Sequence, residues 1–307
     1  MTTLLASKAR LKLSDAGREN PVGVGDSSVK RTATWLALAA ASVVTLLPFA
    51  WLIVSSFKLN DEFFQSMFLP MKEGGGWGVA WEKLTGANYE RLFRELDFAR
   101  SLLNSIFLAS VTGVIATLLC AMGGYALAKF DFRGRKWCTA LVLGAVLIPP
   151  PLLIAPGYQL LYNLNMLDTF AGLILPALAP AFGVFLFRQS MLSSVPTELI
   201  EAARIDGAGE MGVFFSIVLP LVRPMIGTFM MITFLAVWNN YISPQVVLQT
   251  PSKFPLSVAV AQLRGVYYQE YGLQMAGTVV SIVPVLVLFM LLQKEFVSGL
   301  TSGAVKG

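Results

Sequence analysis

Histidine is missing from all 307 residues, cysteine occurs twice, and only 13% of the residues are charged. Without histidine there is no Ser-His or Cys-His nucleophile and no His-ligated metal. Cys120 and Cys138 form no C-x-x-C pair or disulfide framework; they read as small apolar residues packed between helices. The G-x-x-x-x-G-K-[ST] loop that cradles nucleotide phosphates is absent too. No catalytic residue and no metal site is assigned, and the chain reads as something other than an enzyme. The net charge of +5 does not point to nucleic acid, because the basic residues follow a membrane pattern.

What the sequence has in abundance is apolar length. It is 55% hydrophobic, with a mean hydropathy of +0.66, which places it among membrane proteins. A bilayer core of about 30 Å needs roughly 20 apolar residues per helical crossing. Six stretches qualify, at about 33–57, 101–126, 138–158, 169–190, 222–245 and 274–293. They are continuously apolar instead of alternating, so they are helices and not barrel strands. The expected fold is an all-α polytopic membrane protein with six transmembrane helices.

Of the 23 lysines and arginines, 15 fall in the segments that share a side with the N-terminus. The positive-inside rule makes that side cytoplasmic, with both termini on it. The expected order is a cytoplasmic N-terminal tail (1–32), a first transmembrane helix (33–57) and an external segment (58–100). A core of spans two to six (101–293) follows, with a cytoplasmic loop at 191–222 and an external loop at 246–272, then a cytoplasmic C-terminal tail (294–307). The run after Arg31 is too long for a signal-peptide core and is a retained anchor.

Local signals refine this plan. "EGGGWG" (73–78) is a flexible stretch, and "ANYERLFRELDFARS" (87–101) predicts one amphipathic helix at the membrane interface, with Phe93, Leu96 and Arg100 on its stripe. Span two ends in the basic cluster Lys129, Arg133, Arg135 and Lys136, a topological anchor and headgroup contact or a site for a partner's acids. Prolines 149, 150, 151 and 156 deny amide donors and require a kinked or unwound outer end of span three. No Asp or Glu lies inside an expected span, whereas ion-coupled transporters keep carboxylates there as relays. Uphill movement would therefore draw its energy from another subunit. A transporter or channel that works alone is the rival reading.

The charge that is scarce elsewhere collects in "TELIEAARIDGAGEMGVFFSIVLP" (197–220), which holds Glu198, Glu201, Asp206 and Glu210. Ser194 or Thr197 is suited to cap a helix with Pro196 in its first turn. Glu198 and Glu201 complement the positive end of the helix dipole. Ala202 and Ala203 form a face almost without side chain, which another surface can approach closely. Gly207 suits the left-handed residue that ends the helix. A second short helix, about 209–216, follows at an angle and leads into span five.

"EAARIDGAGEMGVFFSIVLP" resembles the coupling motif of ABC-importer permeases, E-A-A, three residues, G, nine residues, I, one residue, L-P. Glu201, Ala202, Ala203, Gly207, Ile217, Leu219 and Pro220 fill every fixed position. "LLPFAWLIVSSFK" (46–58), "RSLLNSIFLAS" (100–110), "YALAKFDFRGRK" (125–136), "FLFRQSMLSSVP" (185–196) and "FVSGLTSGAVKG" (296–307) extend the resemblance to the carbohydrate-uptake branch, above all the second permease of maltose-type importers. The resemblance implies the type I ABC-importer permease fold in a bacterial inner membrane, surrounded by lipid. It implies a homologous second permease, two ATP-binding subunits that hold the ATP and Mg, an external solute-binding protein, and no cofactor on this chain. The loop would seat in a groove of an ATPase subunit. Glu201 would be its polar contact, with Asp206 beside it, Ala202 and Ala203 the close-approach surface, and Gly207 the turn. The C-terminal tail is a flexible end on composition; the family implies that it reaches toward the ATPases.

A sugar needs amide, hydroxyl and aromatic partners. Trp238, Asn239, Asn240, Tyr241 and Gln245 in span five, Asn104 in span two and Tyr158 beyond span three supply them. Hydrogen bonding between spans is the other use for such residues. A polyol or sugar phosphate fits the same pattern.

Overall fold

The computed structural model describes residues 28–72, 78–264 and 270–304. Most of the expected N-terminal tail and of the 73–78 stretch, together with 265–269 and 305–307, lies outside the described residues. The chain forms two compact units, residues 1–51 and 52–307. From Ser28 the first unit is helical, and this helix, α1 (Ser28–Ser56), runs past the boundary with Pro48 inside it. It begins five residues before the expected start of the first span.

Among the described residues of the second unit the regular structure is helical, apart from two single-residue bridges, Lys58 with Leu84 and Met71 with Val79. In order come α2 (Ala87–Arg94), α3 (Phe98–Lys129), α4 (Arg135–Val146), α5 (Ile154–Asn163), α6 (Phe170–Ile174) and α7 (Ala181–Ser194). Then follow α8 (Thr197–Ile205), α9 (Glu210–Leu221), α10 (Arg223–Trp238), α11 (Ile242–Val247), α12 (Leu256–Gln262) and α13 (Tyr271–Ala304). Four helical segments are long and apolar enough to cross a membrane, and two bent pairs bring the number to six if each pair is one crossing.

Both bends have causes in the sequence. Between α4 and the helical segment that starts at Pro150 the axis turns by 100°, where Pro149, Pro150 and Pro151 supply no amide hydrogen. The expectation of a kink there holds. Between α9 and α10 the turn is 83°, at Val222, just before Arg223 and Pro224. Inside α9, Phe214–Val218 is a π-helical turn, a wider winding that accompanies sites where a helix changes direction.

Three expectations are corrected. The single helix over 87–101 is two: α2 ends at Arg94 and α3 starts at Phe98, with Asp97 at φ 48° between them. That left-handed residue resets the helical phase. Leu92 and Asn88 are the buried residues of α2, while Phe93, Leu96 and Arg100 are exposed. The Asn88 amide donates to the carbonyls of Ser56 and Lys58, each at 2.9 Å, so α2 is held by a buried polar contact as well as by its apolar side. Lastly, the helix of span six continues through the expected flexible tail as far as Ala304.

Two apolar cores sit at opposite ends of α3. One gathers Leu92, Phe98, Ala109, Phe234, Trp238, Leu256, Leu273 and Ala276, from α2, α3, α10, α12 and α13. The other gathers Cys120, Tyr125, Phe187, Met191, Ile200, Val213, Phe214, Val218 and Phe229, among others, from α3, α7, α8, α9 and α10. The second core is the one that positions the charged elbow.

Candidate functional site

The elbow is α8, a turn, and α9. Pro196 is the residue before α8, in extended conformation, and no side chain caps that end. This corrects the expected Ser194 or Thr197 cap with Pro196 inside the first turn. Proline before the helix sets the chain direction through its fixed φ, and Glu198 supplies the negative charge in the first turn. At the other end the Gly207 amide donates to Arg204 O at 3.1 Å and the Ala208 amide to Ala203 O at 2.9 Å. Together with Gly207 at φ +84°, this is the paired carbonyl closure of a Schellman turn, as the glycine at that position predicts.

The residues of the elbow divide by burial. Among the fixed motif positions Glu201, Ala202 and Gly207 are exposed, as are Glu198 and Asp206 beside them. Ala203, Ile217 and Leu219 are half-buried and pack against the apolar core under the elbow, and Pro220, beside the bend, is exposed. The expected pair of surface alanines is therefore corrected: Ala203 faces inward, because successive helical residues lie about 100° apart and Ile200, 1% exposed, marks the inner face of α8 at i−3. The outer surface is widened by residues that sequence reasoning did not single out, namely Leu199, Ile205 (86% exposed) and Met211. The second helix is longer than the expected 209–216.

Electrostatics stiffen the elbow across its own turn. The Arg204 Nε donates to Glu210 Oε1 at 2.7 Å. This bond holds the Glu210 carboxyl below its ordinary range and raises the Arg204 guanidinium. The pair bridges α8 and α9 across the turn.

Beside the half of α3 away from the elbow is a cavity of about 430 Å³. Aliphatic and proline side chains line most of it, with Ser105, Thr112, Tyr158, Asn240 and Ser243 as its polar residues. Of the seven candidate solute contacts, the structure brings Tyr158 and Asn240 together here. Asn104 lies elsewhere: its amide donates to Ser252 O at 3.0 Å and Phe254 O at 3.1 Å. Trp238 is buried and stacked on Phe234, with centroids 5.5 Å apart. Asn239, just past α10, donates to Leu235 O in that helix, and Tyr241 and Gln245 are exposed.

The segment after α11 is fastened to the turn between α5 and α6 by one carboxylate. Asp168 Oδ1 accepts the amides of Gln249 and Thr250, both at 3.0 Å, while Oδ2 accepts Thr250 Oγ1 at 2.6 Å and Lys253 Nζ at 2.8 Å. These donors, Lys253 first, hold the Asp168 carboxyl well below the usual carboxylate range. Nothing local in the sequence signals this residue, since its partners lie about 80 positions away.

Residues 109–301 match the family model of binding-protein-dependent transport system inner membrane components. The chain is 36% identical over 278 residues to the arabinooligosaccharides transport system permease protein AraQ of Halalkalibacterium halodurans, covering 89% of this chain and 97% of that one. It is 29% identical to the lactose transport system permease protein LacG of Rhizobium radiobacter, covering 88% and 94%. Among solved structures it is similar, with a TM-score of 0.74 and 23% identity, to a chain of a bacterial ABC transporter involved in the import of the acidic polysaccharide alginate, over 89% of this chain and 98% of the other.

Proposed function

The chain belongs to the family of binding-protein-dependent transport system inner membrane components, and on that premise we propose that it is the permease subunit of an ATP-driven importer of a sugar or oligosaccharide. The observation that carries the mechanism is the elbow: a two-helix projection with exposed Glu201, Ala202, Asp206 and Gly207, rooted in the core shared by α3, α7 and α10. Such a surface suits docking into a groove on an ATP-binding subunit. Closure of two such subunits around ATP and Mg would push the elbow and tilt the helices rooted beneath it, opening the path to the other side. In this reading the elbow and both termini are cytoplasmic, in keeping with the basic residues that gather there. A homologous second permease completes the path, and an external solute-binding protein delivers the cargo.

The sugar class rests on two supports. Relatives carry the names of arabinooligosaccharide and lactose transport systems, and Tyr158 and Asn240 are among the residues that line the cavity. The test is uptake by the complete importer in vesicles, offered labelled oligosaccharides, a polyol and a sugar phosphate. ATP-dependent accumulation of an oligosaccharide supports the reading. Preference for the polyol or sugar phosphate would replace the cargo and keep the machine. Accumulation by this chain alone without ATP would replace the machine.

A further inference from the structure

The loop motif roots in α7 and α10 through the chain itself, since α7 leads into α8 and α9 leads into α10. It has no covalent route to α3, the 32-residue helix that traverses the second unit and contributes to both apolar cores. Side chains make that connection. Tyr125, near the elbow end of α3, directs its hydroxyl at Glu210 Oε2, at 3.4 Å. Glu210 is simultaneously paired with Arg204, and the Arg204 guanidinium lies over the ring of Phe130, the residue after α3, at 5.6 Å. The Tyr125 ring meets Phe130 edge-on at 5.2 Å and Phe214 of α9 at 5.6 Å.

A second fastening sits one turn further along. Lys129 Nζ donates to Val195 O at 2.5 Å and to Thr197 Oγ1 at 3.3 Å, reaching the entry to α8. Next to Tyr125, Gly124 lets α3 and α7 come so close that a Cβ there would stand 2.6 Å from Phe187 Cβ and 2.7 Å from the Arg188 amide nitrogen. The elbow is thus bound to the end of α3 on both of its helices.

We infer that Tyr125, Arg204 and Glu210 form a brace that makes α3 move with the coupling elbow, so that they are positioning residues for transport. This inference rests on the coupling role proposed above for residues 197–220. Force applied to α8 from a partner then reaches the half of α3 away from the elbow, where Ser105 and Thr112 line the cavity. Without the brace, the same push is taken up by rotation of α8 and α9 about the 83° bend. ATP would be spent with less opening of the path.

The experiment uses the complete importer, with its ATPase subunits and solute-binding protein, in proteoliposomes, and reads solute taken up per ATP hydrolysed. Tyr125→Phe keeps the ring contacts and removes the hydroxyl; Glu210→Gln keeps the shape and removes the charge; Glu201→Lys alters only the exposed docking face. Glu210→Gln should lower uptake per ATP by about 5-fold or more, the lower range for a coupling free energy. Tyr125→Phe should lower it in the same direction by less. A nitroxide pair at Glu198 and Asp131 should hold its distance through the ATP cycle in the wild type and change it in Glu210→Gln. An unchanged ratio in both brace variants overturns the inference, as does a parallel fall of hydrolysis and uptake, the mark of a merely structural role. If Glu201→Lys retains full transport, it is the coupling reading itself that fails.

Discussion

Gly207 and Asp168 show how much a single residue settles in this chain. At φ +84° a side chain at 207 is strained by its backbone alone, because a Cβ there would meet nothing within 4 Å. Gly207→Ala should therefore cost about 1 kcal/mol through conformation only, and Gly207→Asn less, since asparagine tolerates the left-handed region. Thermal unfolding of the purified complex orders the three as Gly, Asn, Ala; equal stabilities would contradict the turn. Asp168 carries a pH signature. Its carboxyl is held below the ordinary range, so its contribution is complete above the unfolded pKa of about 3.9 and is lost only as pH falls through the lowered folded value. The stability difference between wild type and Asp168→Asn should be constant from pH 8 to pH 5 and shrink below about pH 4. A difference that vanishes by pH 6 would contradict the lock. Neither the carboxylate's partners nor Tyr125's contact with Glu210 is legible in sequence, because both join segments more than 80 positions apart.

Among elements, those written in composition were the ones read correctly. Four of the six long apolar runs fall on helical segments long enough to cross a membrane, the other two overlap the bent pairs, and the prolines at 149–151 marked the 100° bend. Elements set by one backbone angle were misread. The stripe expected on Phe93, Leu96 and Arg100 failed because Asp97 interrupts the helix, and periodicity says nothing of such a break. The same limit applied to α8: the motif named Ala202 and Ala203 together, and only packing shows that one faces out and the other in. Close approach of α3 and α7 at Gly124 makes a further prediction. Gly124→Ala must force the helices apart, at about 1–3 kcal/mol for overpacking, and should lower the unfolding temperature of the complex. Gly144→Ala, at a position where a Cβ meets nothing within 4 Å, is the control that should not.

For the whole molecule, the scarcity of charge is what makes the account coherent. A chain that is 13% charged places four of its 18 acids within residues 197–220, and the structure leaves all four exposed. The absence of acids from the expected spans, the missing phosphate loop and the family together fit a subunit that converts a push from outside itself into rearranged helices. Two of the seven candidate solute contacts meet in one cavity, and Asn104 serves the fold by tying α3 to the segment before α12. The cavity's largely aliphatic lining is why polar residue types alone did not locate it. The most direct measurement is ATP-driven solute uptake by the assembled importer carrying Glu201→Lys. The account predicts that solute-stimulated ATP hydrolysis and uptake are both abolished while the subunits still co-purify; full uptake in that variant would contradict it.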